Sequence, residues 1–364
     1  MSRVKSIAGH GQSIWLDYID RPLLDKGVLA RMVEEDALAG VTSNPAIFQK
    51  AITSSDDYAS VLDELAGQSE NAKALYEAVA IRDIQDAADV LAEVYKSTEG
   101  RDGYVSLEVS PDLARDTHGT IDEARRLWTQ VARPNLMVKV PGTAEGMEAI
   151  ETLIAEGINV NVTLLFARSM YERTAEAYIA GLERRVQAGE SISSVASVAS
   201  FFISRIDSAV DKQLKASNAD SALLGKTAIA NGKLAYQHYE SLMASERWAK
   251  LKAAGAMPQR LLWASTSTKD PSYRDVLYIE ELIGPDTVNT VPPATLDAFR
   301  DHGEAANALV GGVEQSEAIL ASVADAGVDL DAITDQLLDD GIVVFADAFQ
   351  ALLAAVDSAR LEHS

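Results

Sequence analysis

Apolar positions along this chain follow two alternating rhythms. Short runs with a two-residue period are separated by longer stretches in which apolar residues recur every three or four positions. SIWLDYI (13–19) reads as a first strand, followed by a helix with Leu29, Met32 and Val33 on one face. Gly40 precedes a second strand, VTSN (41–44), and then an alanine-rich helical region where Ile81, Ile84, Ala88, Leu91 and Val94 share a face. GYVSLEV (103–109) is the third strand. Thr120-Ile-Asp-Glu123 has the form of a capping box, opening a helix whose buried face is Ile121, Ala124, Leu127, Trp128 and Val131. LMVKVPGTAEG (136–146) supplies the fourth strand, and Met147, Ile150 and Ile154 mark the next helix. INVNVTLLF (158–166), SVASVASFF (194–202), RLLWAS (260–265) and TVNTV (287–291) complete a set of eight, with helical stretches from about Arg168 and up to Met257 between them.

Eight strands, each followed by helix, predict an α/β fold of the (β/α)8 TIM-barrel type. A doubly wound sheet is the competing arrangement, but no G-x-G-x-x-G follows the first strand. The barrel is expected over about 10–300, with a helical C-terminal segment over about 301–364, the whole of 1–364 forming one domain. That segment carries three apolar stripes: Ile319, Leu320 and Val323; Ile333, Leu337 and Leu338; and Val344, Phe345, Phe349, Leu352, Leu353 and Val356. There is no internal repeat, Pro-rich linker or low-complexity stretch.

Parallel strands covered by helices normally read as continuous apolar runs. These do not. Ile14 and Leu16 alternate with Trp15 and Asp17, and Val105, Leu107 and Val109 alternate with Ser106 and Glu108. Leu136, Val138 and Val140 alternate with Met137 and Lys139, and Ile158, Val160 and Val162 with Asn159, Asn161 and Thr163. Thr42 and Asn44 share a face opposite Val41. Successive strand residues point to opposite faces, so one face suits packing under helices and the other carries polar groups into the barrel. Asp17, Asn44, Glu108, Lys139, Asn161 and Thr163 then converge near the C-terminal ends of the strands, where barrel active sites lie. A buried ion pair of Lys139 with Glu108 or Asp17 would be the bland account. Burying charge generally costs more than pairing returns, and polar inward residues on five strands are too many for filler.

Composition narrows the chemistry. The apolar fraction of 47% and charged fraction of 24% suit a folded protein. A formal charge of −23 argues against a nucleic-acid partner and requires a local basic pocket for any anionic substrate. With no cysteine, disulfides and thiolate metal sites are excluded. The five histidines (His10, His118, His238, His302 and His363) have no zinc-site spacing. The opening MSRVKSIAGHGQS lacks the apolar core of a signal peptide, and no run approaches the roughly 20 apolar residues of a spanning helix. A cytoplasmic enzyme with no membrane partner is the expectation.

An amine in a low-dielectric site is expected to spend more of its time uncharged. Free amine attacks a ketone to form a Schiff base, whose protonated form stabilises the carbanion left when the adjacent C–C bond breaks. The chemistry needs two proton carriers, for which Asp17 and Glu108 are available, and requires no metal or organic cofactor.

WLDYIDR (15–21), GVTSNPAIF (40–48), VSLEVSPDLARD (105–116), LMVKVPGTAEG (136–146), INVNVTLLF (158–166), SFFISRID (200–207) and LWASTSTKDPSY (262–273) together resemble transaldolase, a family of Schiff-base enzymes on (β/α)8 barrels. The resemblance covers most of the chain. It implies that Lys139 is the Schiff-base lysine, that Asp17 is the acid/base for the substrate C4 hydroxyl, and that Glu108, through a water near Thr163, shuttles protons while the imine forms and breaks. It implies that Asn44 and Asn161 hold the hydroxyls of a dihydroxyacetone unit and that Ser200 and Arg205 bind phosphate, beside a helix N-terminus that also favours anions. Family members often carry a second phosphate-binding arginine after strand seven. This chain has ASTSTKDP there, with Lys269 displaced along the loop, a point charge without the bidentate fork. The implied partners are phosphorylated sugars: fructose 6-phosphate or sedoheptulose 7-phosphate as donor, erythrose 4-phosphate or glyceraldehyde 3-phosphate as acceptor, in the non-oxidative pentose phosphate pathway. Monomer and homodimer both remain open.

Other signals are weaker. GKT (225–227) lacks the upstream glycine and strand of a P-loop and reads as helix surface. DAGVDLDAITDQLLDD (325–340) lacks EF-hand order and reads as a solvated helix. His118 reads as a loop residue and Trp128 as core, while Trp15 fits either a pocket wall or barrel core. Two rival functions stand beside transaldolase: an aldolase that releases free dihydroxyacetone, and a non-catalytic sugar-phosphate sensor, for which the Asp17–Glu108–Lys139 set would be superfluous.

Overall fold

The computed structural model describes residues 2–54, 56–67 and 69–362, so His363 lies outside the described residues. Eight parallel strands close into a barrel in chain order. They are β1 (Gln12–Asp17), β2 (Gly40–Thr42), β3 (Tyr104–Glu108), β4 (Leu136–Pro141), β5 (Val160–Leu165), β6 (Ser197–Phe202), β7 (Arg260–Ala264) and β8 (Thr287–Val291). Because β8 pairs with β1 as well as with β7, the open doubly wound sheet is excluded and the TIM barrel stands. The outward residues Leu16, Val41, Val105, Val138, Val160 and Val162 are buried beneath the surrounding helices, as their alternation requires.

Element ends differ from the sequence reading where side chains compete for backbone groups. β2 stops at Thr42 because Asn44 leaves the sheet to cap the helix Pro45–Ser54, its Oδ1 accepting from the Ile47 N–H at 3.0 Å. The helix assigned to a Thr120–Glu123 capping box starts a turn earlier, at Thr117, where Asp116 accepts from the Gly119 N–H at 3.0 Å. Thr120 instead donates to the Leu113 carbonyl at 2.9 Å, and Glu123 accepts from the Ser110 N–H at 2.6 Å. Both residues thus tie down the loop that leaves β3. His118 accordingly lies exposed in a helix rather than a loop, and Trp128 is only half-buried. Gly225 and Thr227 are not helix surface either. Gly225 is buried at a turn where its N–H donates to Asp211 at 3.1 Å, a carboxylate that would repel a phosphate, and Thr227 is buried at the start of the helix Thr227–Met243.

The N-terminal half of the barrel is filled by Trp15, fully buried, whose Nε1 donates to Asp102 at 3.2 Å. This settles Trp15 as barrel core. A Cβ at position 40 would stand 2.5 Å from its ring, so only glycine permits β2 to pass. Asp102 also accepts from the Ser13 hydroxyl at 2.7 Å and from Arg260 at 2.9 Å. Both members of this ion pair are buried, at 6% and 4% exposure, and Arg260 donates further to the Ser13 hydroxyl and the Arg101 carbonyl.

After β8 the chain is helical: Pro293–His302, Val313–Asp325 and Leu330–Glu362. The second and third apolar stripes belong to one 33-residue helix. Phe345, Phe349, Leu352 and Val356 are buried on the barrel, whereas Val344 is 50% exposed and so leaves the stripe. Contrary to the expectation that no stretch reaches spanning length, residues 330–358 are long and apolar enough to cross a membrane by length and composition. The buried stripe gives Phe345, Phe349, Leu352 and Val356 a partner within the fold, while Val343 and Val344 stay exposed.

Removing one member of a buried ion pair strands the other. Asp102→Ala is expected to cost about 3–5 kcal/mol, read as a lower urea midpoint at neutral pH, against about 1 kcal/mol for Ser13→Ala.

Candidate active site

Lys139 is the fourth residue of β4, and strand register decides its company. Glu108 of β3 and Asn161 of β5 are its direct neighbours across the two ladders, so all three share a level and a face. The Lys139 Nζ lies 3.2 Å from Glu108 Oε2 and donates to the Ser43 carbonyl at 3.0 Å. β4 ends at Pro141, and Thr143 caps the following helix Ala144–Glu156 by accepting from the Gly146 N–H at 3.0 Å. A Cβ on Gly146 would meet the Pro141 carbonyl at 2.2 Å, so the motif PGTAEG turns directly from strand to helix.

A pocket of about 140 Å3 opens above this layer at the C-terminal ends of the strands. Asp17, Asn44, Lys139, Thr163, Ser200, Arg205 and Lys269 line it. Glu108 and Asn161 do not reach its surface. Glu108 stands behind as the counter-charge of Lys139, and Asn161 is engaged on both sides, donating to Ser106 at 3.0 Å and accepting from Ser200 at 2.6 Å. Asn44 spends its carbonyl oxygen on the Ile47 N–H and keeps its amide nitrogen for the pocket. The Thr163 hydroxyl is buried without a hydrogen-bond partner among the described residues.

The electrostatics are uneven. Asp17 retains a partly open face, yet burial pushes its carboxyl above the ordinary value, against the opposing pull of Lys139, a hydrogen bond from Thr42 at 2.7 Å, and Lys269. Glu108 is pushed up by burial as well, with Lys139 opposing and Asp17 adding to the rise. On the far side Arg205 forms no ion pair among the described residues. Its guanidinium carbon lies 5.6 Å from the centre of the Phe202 ring, and burial pulls its pKa down. Lys269 is pulled down by burial and then by Arg205, while its Nζ donates to the Ser267 hydroxyl at 2.6 Å. Neither cation forms an ion pair among the described residues, and Arg205 disfavours the charge of Lys269, an arrangement suited to an anionic ligand.

Several residues at or beside the pocket play a part that the sequence reading did not assign them. Thr42 and Thr290 share a 2.6 Å hydroxyl contact beneath Asp17, a pairing that needs the β8–β1–β2 closure to become visible. Phe345 arrives from the last helix, with its ring centre 6.0 Å from the Lys139 Nζ. Leu164 has φ +61° at a register shift in β5, a local strain that rotates the strand just after Thr163. A larger cleft, of about 420 Å3, lies at the opposite end of the barrel. Its charged residues Asp36, Arg101 and Asp102 are committed to Arg300, Asp286 and Arg260.

A family model for transaldolase/fructose-6-phosphate aldolase matches residues 14–356. A transaldolase of Thiobacillus denitrificans is 49% identical over 358 residues, covering 98% of this chain and 100% of the relative. A protein named transaldolase 2 from Nostoc sp. is 46% identical over 370 residues, covering 98% of this chain and 97% of the relative. A transaldolase of Thermobifida fusca is 46% identical over 366 residues, covering 100% of both. With a family match over nearly its whole length, and a barrel pocket that gathers an amine, an acid and two cations, this chain belongs to the transaldolase/fructose-6-phosphate aldolase family.

Proposed function

We propose that the protein is a transaldolase, moving a dihydroxyacetone unit from a ketose phosphate to an aldose phosphate through an imine on Lys139. The observation that carries this reading is the placement of one buried amine at the pocket floor, with Glu108 at 3.2 Å and Asp17 lining the same space. Fructose 6-phosphate or sedoheptulose 7-phosphate is the donor, and erythrose 4-phosphate or glyceraldehyde 3-phosphate the acceptor. The reaction belongs to the non-oxidative pentose phosphate pathway, and the cytoplasm is its proposed setting.

In this mechanism Lys139 attacks the ketone carbon, and the resulting carbinolamine loses water to give the imine. Glu108, against the amine, and the free hydroxyl of Thr163 carry the protons for that step. Asp17 takes the proton from the C4 hydroxyl, the C3–C4 bond breaks, and its electron pair moves into the imine while the aldehyde leaves. An acceptor aldehyde then reverses the sequence. The upward push on Asp17 helps it both to take and to return a proton near neutral pH. Arg205, Ser200 and Lys269 receive the phosphate, and Asn44 holds a hydroxyl of the three-carbon unit.

Borohydride added together with fructose 6-phosphate should fix a three-carbon adduct on Lys139, detected by peptide mass spectrometry, and Lys139→Ala should abolish both adduct and turnover. An unlabelled Lys139 in the parent chain would sink the mechanism.

Asp17→Asn should lower kcat by about 10²–10⁴-fold. Stability should move the other way. A carboxyl raised above 3.8 in the folded state keeps its proton there longer than in the unfolded chain, so ionising it costs stability as pH rises through that window. The variant should therefore unfold at a higher urea concentration than the parent at pH about 7.5, with the gap closing as pH falls toward 3.8.

A further inference from the structure

Among the described residues lining the pocket, Phe345 is the one that comes from the chain after the barrel's eighth strand and the loop that follows it. It sits near the middle of the helix Leu330–Glu362, which at 33 residues runs roughly 50 Å. That helix spans the mouth, packing on Pro45–Ser54 and Ala72–Val90 at one side and on Ser204–Ala216 at the other. Its position is fixed at several points. Asp339 pairs with Arg115, Gln350 donates to Asp112 at 3.3 Å, and Phe349 meets Tyr76 edge-on with ring centres 5.7 Å apart. Gly341 lets the helix close on the strained Leu164, since a Cβ there would stand 3.0 Å from the leucine side chain. The outcome is a phenyl ring, 6% exposed, facing the Lys139 amine.

We propose that Phe345 is a positioning and specificity-determining residue, a dry roof that makes the enzyme transfer its three-carbon unit rather than release it. The inference rests on the imine reading above. After C–C cleavage the three-carbon unit is an enamine with two fates. Its nucleophilic carbon can bond to the aldehyde carbon of the acceptor, whose oxygen takes a proton from Asp17. Alternatively that carbon takes a proton from water, water then adds to the C=N bond, the C–N bond breaks, and dihydroxyacetone leaves with the amine restored. Both routes end with one water added to the C=N bond; they differ in whether the enamine carbon takes a proton or forms a C–C bond. A phenyl ring donates no proton and keeps water from that carbon, so it slows the protonation peculiar to the second route while leaving the first open to an aldehyde.

The test compares fructose 6-phosphate cleavage without acceptor and with erythrose 4-phosphate, in the full chain carrying Phe345→Ala, Phe345→Leu or Val344→Ala. Borohydride trapping on Lys139 is followed in parallel. Trapping should persist in all three variants. The ratio of acceptor-independent to acceptor-dependent rate should rise about tenfold in Phe345→Ala and less in Phe345→Leu. It should match the parent in Val344→Ala, which changes a residue on the open side of the same helix. A parent-like ratio in Phe345→Ala, with trapping and the thermal transition intact, would overturn the roof. If the alanine variant does not fold, a parent-like ratio in Phe345→Leu, which keeps an apolar side chain but loses the flat ring, overturns it equally. Absence of trapping in the parent would overturn the imine reading itself, and the roof with it.

Discussion

Everything at this site depends on holding Lys139 and Glu108 against each other in a place water scarcely reaches. Both are buried, and the desolvation of two charges exceeds what a single contact ordinarily returns. Parallel register fixes their direct opposition on β3 and β4, and the outward apolar faces of the same strands anchor that register under the helices. Slipping either strand by one residue would turn its polar residue toward the helical shell and a valine or leucine into the pocket. The apolar half of each strand is thus the condition for the reactive half.

The barrel contains two polar cores, and the contrast between them separates structure from chemistry. At the N-terminal end Asp102 accepts from Ser13, Trp15 and Arg260, and Arg260 finds two further acceptors. At the C-terminal end the groups are left partly unmet. Asp17 and Glu108 are pushed up by burial, the Thr163 hydroxyl has no partner among the described residues, and Arg205 has no carboxylate. The carboxylate and guanidinium are matched to each other in one core, whereas Asp17 and Arg205 have no such partner among the described residues in the other. Unmet potential of that kind is what a substrate can satisfy.

The sequence made the barrel and the inward lysine legible because both follow from a period of two, which survives without knowledge of partners. Asp17, Glu108, Lys139 and Thr163 were readable for the same reason. What depended on competition between local groups was not. Asp116 displaced the Thr120–Glu123 cap, and Asn44 left its strand to cap a helix, because each offered an oxygen to N–H groups at the right moment along the backbone. Trp15 could not be assigned until Gly40 and Asp102 were seen around it. For Asn161 the inward direction was legible, but the bonds of its amide to Ser106 and Ser200 were not, because they depend on register across three strands. Phe345 lies more than two hundred positions from Lys139, and its stripe looked like ordinary core packing, which for Phe349 and Leu352 it is.

The overall charge of −23 opposes an anionic substrate at long range, yet screening confines that opposition to about 8–10 Å in physiological salt. Inside the pocket the balance reverses: Lys139, Arg205 and Lys269 line it against a single carboxylate, Asp17, with Glu108 one layer behind. Low-dielectric walls strengthen those nearby charges relative to the surface field. Burial pulls both Arg205 and Lys269 down, and Arg205 adds to the fall at Lys269 while Asp17 opposes it. Under the proposed function, a phosphate bound at these two cations would offset that burial cost. The substrate's remote charge would then hold it in place and leave the buried amine for the covalent step of the proposed mechanism.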